Sequence, residues 1–174
     1  MSQPTIYLAN WSSHKSLHGP GKGLYSIMAQ PRSWEHGWGK VGALCPPEAA
    51  VPHLRAALIA KHSPKLGGLF DLDESEDEPE TNPYQMLVTG HFQKMLTAGK
   101  LAPGSLTWHR MDTDTKGPVE TDSTCCCACS VADSLAGKCH RAWAAPYLHA
   151  AGWQVMQEGS VWEPDSKNPM TRKR

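Results

Sequence analysis

Apolar positions along the chain gather into short β-rich runs separated by two longer stretches at helical spacing. Thr5-Ile6-Tyr7-Leu8-Ala9 predicts a first strand that empties into the polar loop Asn10-Trp11-Ser12-Ser13-His14-Lys15. Three glycines and a proline in His18-Gly19-Pro20-Gly21-Lys22-Gly23 prolong that loop, and Leu24-Tyr25-Ser26-Ile27-Met28 reads as a second strand or a short helix. Val51, Leu54, Leu58 and Ile59 predict an amphipathic helix from Glu48 to Lys61. A second helical face, Tyr84, Leu87, Val88, His91, Met95 and Leu96, stops at Gly99, and Leu106 to Arg110 suits a short strand.

Small residues from Ser123 to Cys129 predict a strand inside a sheet. Alternation along it would put Cys125, Cys127 and Cys129 on one face and Cys126 on the other. Pro146, read as a first-turn proline, predicts a helix from Ala142 or Trp143 to Gly152, followed by a strand at Trp153-Gln154-Val155-Met156. Strand, helix, strand at this spacing is a βαβ unit with parallel strands. The expected fold is α/β, a single Rossmann-like domain with a mainly parallel sheet flanked by helices. It would span residues 1–162, with an acidic loop over 71–82 and a flexible basic tail over 163–174.

A length of 174 residues is enough to bury one core without help from a metal. Lysine plus arginine and aspartate plus glutamate both total 17, so net charge does not support nucleic-acid binding. No apolar run is long enough to span a bilayer and Met1-Ser2-Gln3-Pro4 lacks the pattern of a signal peptide, so a cytoplasmic, non-membrane protein is expected. In a reducing compartment, clustered cysteines are ligands, catalytic thiols or small buried hydrophobes more often than disulfides.

Five of the six cysteines lie in Cys125-Cys126-Cys127-Ala128-Cys129 and Cys139-His140-Arg141. Two chemistries compete there. In the first, Cys139 and His140 are catalytic, because a helix entrance lowers a thiol pKa and favours an anion, which Arg141 would grip with its fork of donors. Cys129 and, at the end of the first strand, Asn10, Ser12, Ser13 and His14 would line the same pocket, with Arg32 beside Trp34 as a further ligand contact. The expected ligand is nucleotide- or nucleoside-like. In the second, Cys127, Cys129, Cys139 and His140 are a tetrahedral zinc set, zinc being the one cofactor the residues suggest. No G-x-S-x-G, H-E-x-x-H or G-x-G-x-x-G motif is present.

Cys127-Ala128-Cys129, Cys139-His140-Arg141 and Trp143-Ala144-Ala145-Pro146-Tyr147-Leu148 together resemble the small bacterial and phage families called domain of unknown function 488 and its relative 4326. The resemblance implies a compact Rossmann-like domain in which a late strand ends in cysteines and Cys-His-Arg opens a helix. It carries no settled reaction. Ile6-Tyr7-Leu8-Ala9-Asn10 also resembles the first strand of nucleoside deoxyribosyltransferase-like domains. Two non-catalytic readings stand beside an enzyme: a phage-type accessory protein that sequesters a nucleotide or binds a host protein, and a zinc-stabilised interaction module.

Overall fold

The computed structural model describes residues 3–11, 23–28, 39–54 and 82–173. In chain order its elements are β1 (Thr5–Asn10), β2 (Leu24–Ser26), β3 (Gly39–Lys40), two single-turn 3-10 helices (Gly42–Leu44 and Glu48–Ala50) and helix α1 (Pro83–Thr97). Then follow β4 (Thr107–Arg110), β5 (Thr115–Pro118), β6 (Ser123–Cys127), α2 (Val131–Leu135), α3 (His140–Ala150), β7 (Gln154–Gln157) and β8 (Ser160–Val161).

Among the described residues the eight strands form one sheet in the order β5-β4-β3-β2-β6-β1-β7-β8. The five central strands β3-β2-β6-β1-β7 are parallel, as the βαβ reading expected. Both margins are antiparallel, through β3 with β4, β4 with β5, and β7 with β8. The sheet is therefore mixed, which corrects the expectation of a mainly parallel one. The reason is connection length: residues 111–114 join β4 to β5, and Glu158-Gly159 alone joins β7 to β8. Links that short can only return the chain antiparallel. Glu158 and Gly159 both have positive φ, 49° and 80°, which matches a two-residue turn twisted like its flanking strands.

Cys125 and Cys127 join the main core, packed with Ile6, Leu8, Val88 and Phe92, whereas Cys126 faces the other way with Ala9 and Trp11. Strand alternation thus sorted these neighbours as expected. Helices α1 and α3 cover the main face, with Phe92 against Tyr147 and Tyr84 edge-on to Trp143, ring centroids 5.7 and 5.6 Å apart. Each such buried side chain contributes roughly 1.5–3 kcal/mol. Asn82 caps α1 by accepting from the Tyr84 amide, Pro83 opens it, and Gly99, at φ 69°, follows its end.

Helix α3 begins at His140, before the expected Ala142 or Trp143, and Cys139 is its N-cap. Pro146 lies in its interior, so it was the wrong marker for the first turn. Its missing amide leaves the Ala142 carbonyl without the usual bond four residues on. Helix α2 was not anticipated, although Ser130 is an N-cap residue with an acid three positions on: its hydroxyl accepts from the Asp133 amide and donates to the Asp133 carboxylate. Of the helix expected from Glu48, the structure describes the 3-10 turn and helical residues 51–54. The remainder of that helix and acidic residues 71–81 lie outside the described residues. After Glu163 the chain turns back on itself, Pro164 pairing with Arg172 and the Lys173 amide donating to the Glu163 carbonyl. No described helix is long and apolar enough to cross a membrane.

Candidate metal centre

Cys127 ends β6 with its side chain toward the helices, Cys129 follows where the strand bends away, and Cys139 returns at the N-cap of α3. The sulfurs of Cys127, Cys129 and Cys139 all lie within 4.8 Å of one another. Each is a free thiol; Cys127 and Cys139 are buried and Cys129 is half-buried. Cys139 makes no side-chain bond to the amides of its own helix, which leaves its sulfur to the cluster. Three thiols in this arrangement could hold a metal ion.

The cluster favours one negative charge. Bonds from Cys127 and from Cys129 hold the Cys139 thiol well below its ordinary pKa, with the Arg141 charge adding to the effect against burial. Cys127 is raised well above the ordinary thiol value by its bonds to Cys129 and Cys139 and by burial. At Cys129 the bond from Cys127 pulls down, but the bond to Cys139 and burial push the thiol up to about 12. One thiolate held by two thiol donors is the state these directions describe.

Arg141 and His140 flank the cluster but are spent on the protein itself. The Arg141 side chain is 0% exposed and forms an ion pair with Glu158, whose side chain is 1% exposed. Its Nε donates to the Ser134 hydroxyl at 3.2 Å, Nη1 to the carbonyl and sulfur of Cys127 at 3.5 and 3.4 Å, and Nη2 to the carbonyls of Cys129 and Ser130, each at 3.3 Å. This guanidinium offers no donor to a ligand. Burial keeps Glu158 above the ordinary carboxylate range even against Arg141. His140 is buried, which lowers its pKa and keeps the ring neutral; its Nε2 lies 3.0 Å from the Ile27 carbonyl, which can only accept, so Nε2 carries the proton.

Asn10, expected to contact ligand, instead donates from Nδ2 to the Cys129 carbonyl at 2.6 Å. It stands opposite Cys127 in the β1–β6 register, so it ties the cysteine bend to the neighbouring strand. Of the expected site residues, the structure brings Cys127, Cys129 and Cys139 into one cluster and turns His140, Arg141 and Asn10 to supporting bonds. Ser12, Ser13, His14 and Arg32 lie outside the described residues. Sequence reasoning missed Glu158, Ser134 and Gln157, whose amide donates to the Ser134 carbonyl and hydroxyl at 3.1 and 2.9 Å. Gly159 is a local turn signal that could have pointed to Glu158, but nothing local marks that acid as buried. Comparison with protein-family models, curated proteins and solved structures finds no match.

Proposed function

We propose that this chain is a metal-thiolate domain in which Cys127, Cys129 and Cys139 hold one zinc ion. The convergence of the three sulfurs carries the reading. Zinc–sulfur bonds of about 2.3 Å in a tetrahedron place sulfurs about 3.8 Å apart, which fits the observed span. The Arg141 donor on the Cys127 sulfur is the kind of outer bond that spreads thiolate charge and orients a ligand. His140 is left out of the set, because the ligand atoms that gather within 4.8 Å of one another are the three sulfurs and no nitrogen of its ring.

Three protein ligands leave a fourth position for water or a substrate atom, the pattern of a catalytic rather than a closed structural zinc. Cys129, the half-buried member, is the side from which that fourth ligand reaches the ion. Five parallel strands, with α3 crossing from β6 past β1 to β7, support a Rossmann-like arrangement whose chemistry lies at the strand carboxyl ends. Free thiols in such a cluster fit a reducing, cytoplasmic compartment.

Metal analysis of the purified full chain tests this reading. About one zinc per chain is expected in the wild type and in Cys126→Ala, which alters the other face of β6. Cys127→Ser and Cys139→Ser should each lose it, and cobalt substitution should give thiolate-to-metal charge-transfer bands. A wild-type chain that takes up no zinc on reconstitution, or zinc retained in the Cys127→Ser/Cys139→Ser double variant, overturns the assignment.

A further inference from the structure

A cavity of about 770 Å³ opens between α1, α2, α3 and the segment that returns after β8. Its volume is within the range of small-molecule sites, and its position follows the rule for α/β sheets. Gln157, the last residue of β7, and Ser134, on the helix just after β6, form part of its wall, so it lies at the carboxyl ends of the parallel strands. Ser134 is also the hydroxyl that meets Arg141. The cavity is therefore separated from the thiol cluster by one layer of hydrogen-bonded side chains.

Its lining has two chemistries. Leu135 and Met170, at 56% and 46% exposed, are two large apolar side chains that the fold leaves to water here. Beside them are Trp143 and Tyr147, and the Trp143 indole is held in place by donating to the Gly137 carbonyl at 2.7 Å. Charge comes from the returning segment through Arg172 and Lys173. Their present partners are weak: Arg172 reaches the Val161 carbonyl at 3.4 Å, and Lys173 pairs with Glu163 at 3.7 Å with both side chains more than half exposed. Exposed pairs of that kind contribute about 0–1 kcal/mol, so both cations can turn to a ligand with little loss. No carboxylate lines the cavity among the described residues.

We propose that this cavity binds a nucleotide-like anion, with its flat ring against Leu135, Met170, Trp143 and Tyr147 and its phosphate on Arg172 and Lys173. An apolar wall selects the ring and the paired cations select the phosphate, so neither half alone satisfies the site. The site stands on residues other than the metal ligands and places the anion away from Arg141, whose donors are all used within the fold.

Isothermal titration of the full chain with the 5′-monophosphates of adenosine, guanosine, cytidine and uridine as probes tests the proposal. At least one should bind saturably at a single site, and its nucleoside and inorganic phosphate should each bind about tenfold or more weakly, the size of one lost charge-assisted bond. Arg172→Ala/Lys173→Ala should bring the nucleotide down to its nucleoside's affinity, and Leu135→Glu should weaken nucleotide and nucleoside alike. Leu135 is exposed, so neither variant disturbs the core, and both should retain the zinc content of the wild type. The proposal is overturned if none of the four probes binds saturably at millimolar concentration, or if binding survives both variants unchanged. Loss of zinc in Cys139→Ser with nucleotide affinity intact would separate the two sites; failure to find zinc would leave this result unaltered.

Discussion

Glu158→Gln is the sharpest perturbation of the site's support, because it keeps the shape of the side chain and removes only its charge. Arg141 and Glu158 are exposed by 0% and 1%, so the pair is screened by protein and not by water. Removing one partner of a buried pair costs about 3–5 kcal/mol, since the other charge is left uncompensated. Arg141 would keep the Ser134 hydroxyl and the carbonyls of Cys127, Cys129 and Ser130, which moves the expected loss to the lower end, about 3 kcal/mol. Both residues would adopt the same positive φ at this turn, so backbone strain cancels between them. With a urea slope of about 2 kcal/mol per molar, the midpoint should fall by about 1.5 M. Urea unfolding at one fixed zinc concentration, and at a pH well above the raised Glu158 titration, measures it. A fall below about 0.3 M, the size of an exposed pair, would refute a buried charge network beneath the cysteines.

Gly39→Ala would set a Cβ 2.9 Å from Trp108 and 3.0 Å from Tyr25, rings stacked at 5.8 Å, whereas at Gly117 the nearest atom is at 3.3 Å. Gly39→Ala should therefore destabilise by about 1–3 kcal/mol and Gly117→Ala by less, and the reverse order in thermal unfolding would contradict the packing. Burial lowers the His91 pKa, and its Nε2 is enclosed without a hydrogen-bond partner. The unfolded chain thus binds this proton more readily than the folded one, so the stability present above about pH 6.5 is lost as pH falls through the lowered folded value. His140 contributes with the same sign. His91→Gln should flatten the slope of urea midpoint against pH just below about pH 6.5, where the unfolded chain takes up the proton and the folded one does not, and a steeper slope would count against the burial argument.

Much of the layout was legible because it rests on local periodicity. The run Thr5 to Ala9, the helical face from Tyr84 to Leu96 and the alternation at Cys125, Cys126 and Cys127 each reflect a geometric period that side chains must obey. The antiparallel margins were not legible: β3 and β8 are two residues long, too short to show any period, and β5 carries no apolar alternation. Pro146 misled because a first-turn proline is the less costly choice, and this chain places it inside a buried helix all the same.

By itself the sequence determined the α/β class, the strand on which the cysteines alternate and the helix entrance that carries Cys139. Those follow from spacing along one element. Only the tertiary structure decided that Cys127, Cys129 and Cys139 meet while His140 turns to Ile27, that Arg141 serves Glu158 rather than a ligand, and that Leu135 and Met170 share a cavity with Arg172. Such partners come from separate elements. Which donor faces which acceptor is set by how strands and helices pack, where a buried charge must find its counterpart wherever the chain brings one.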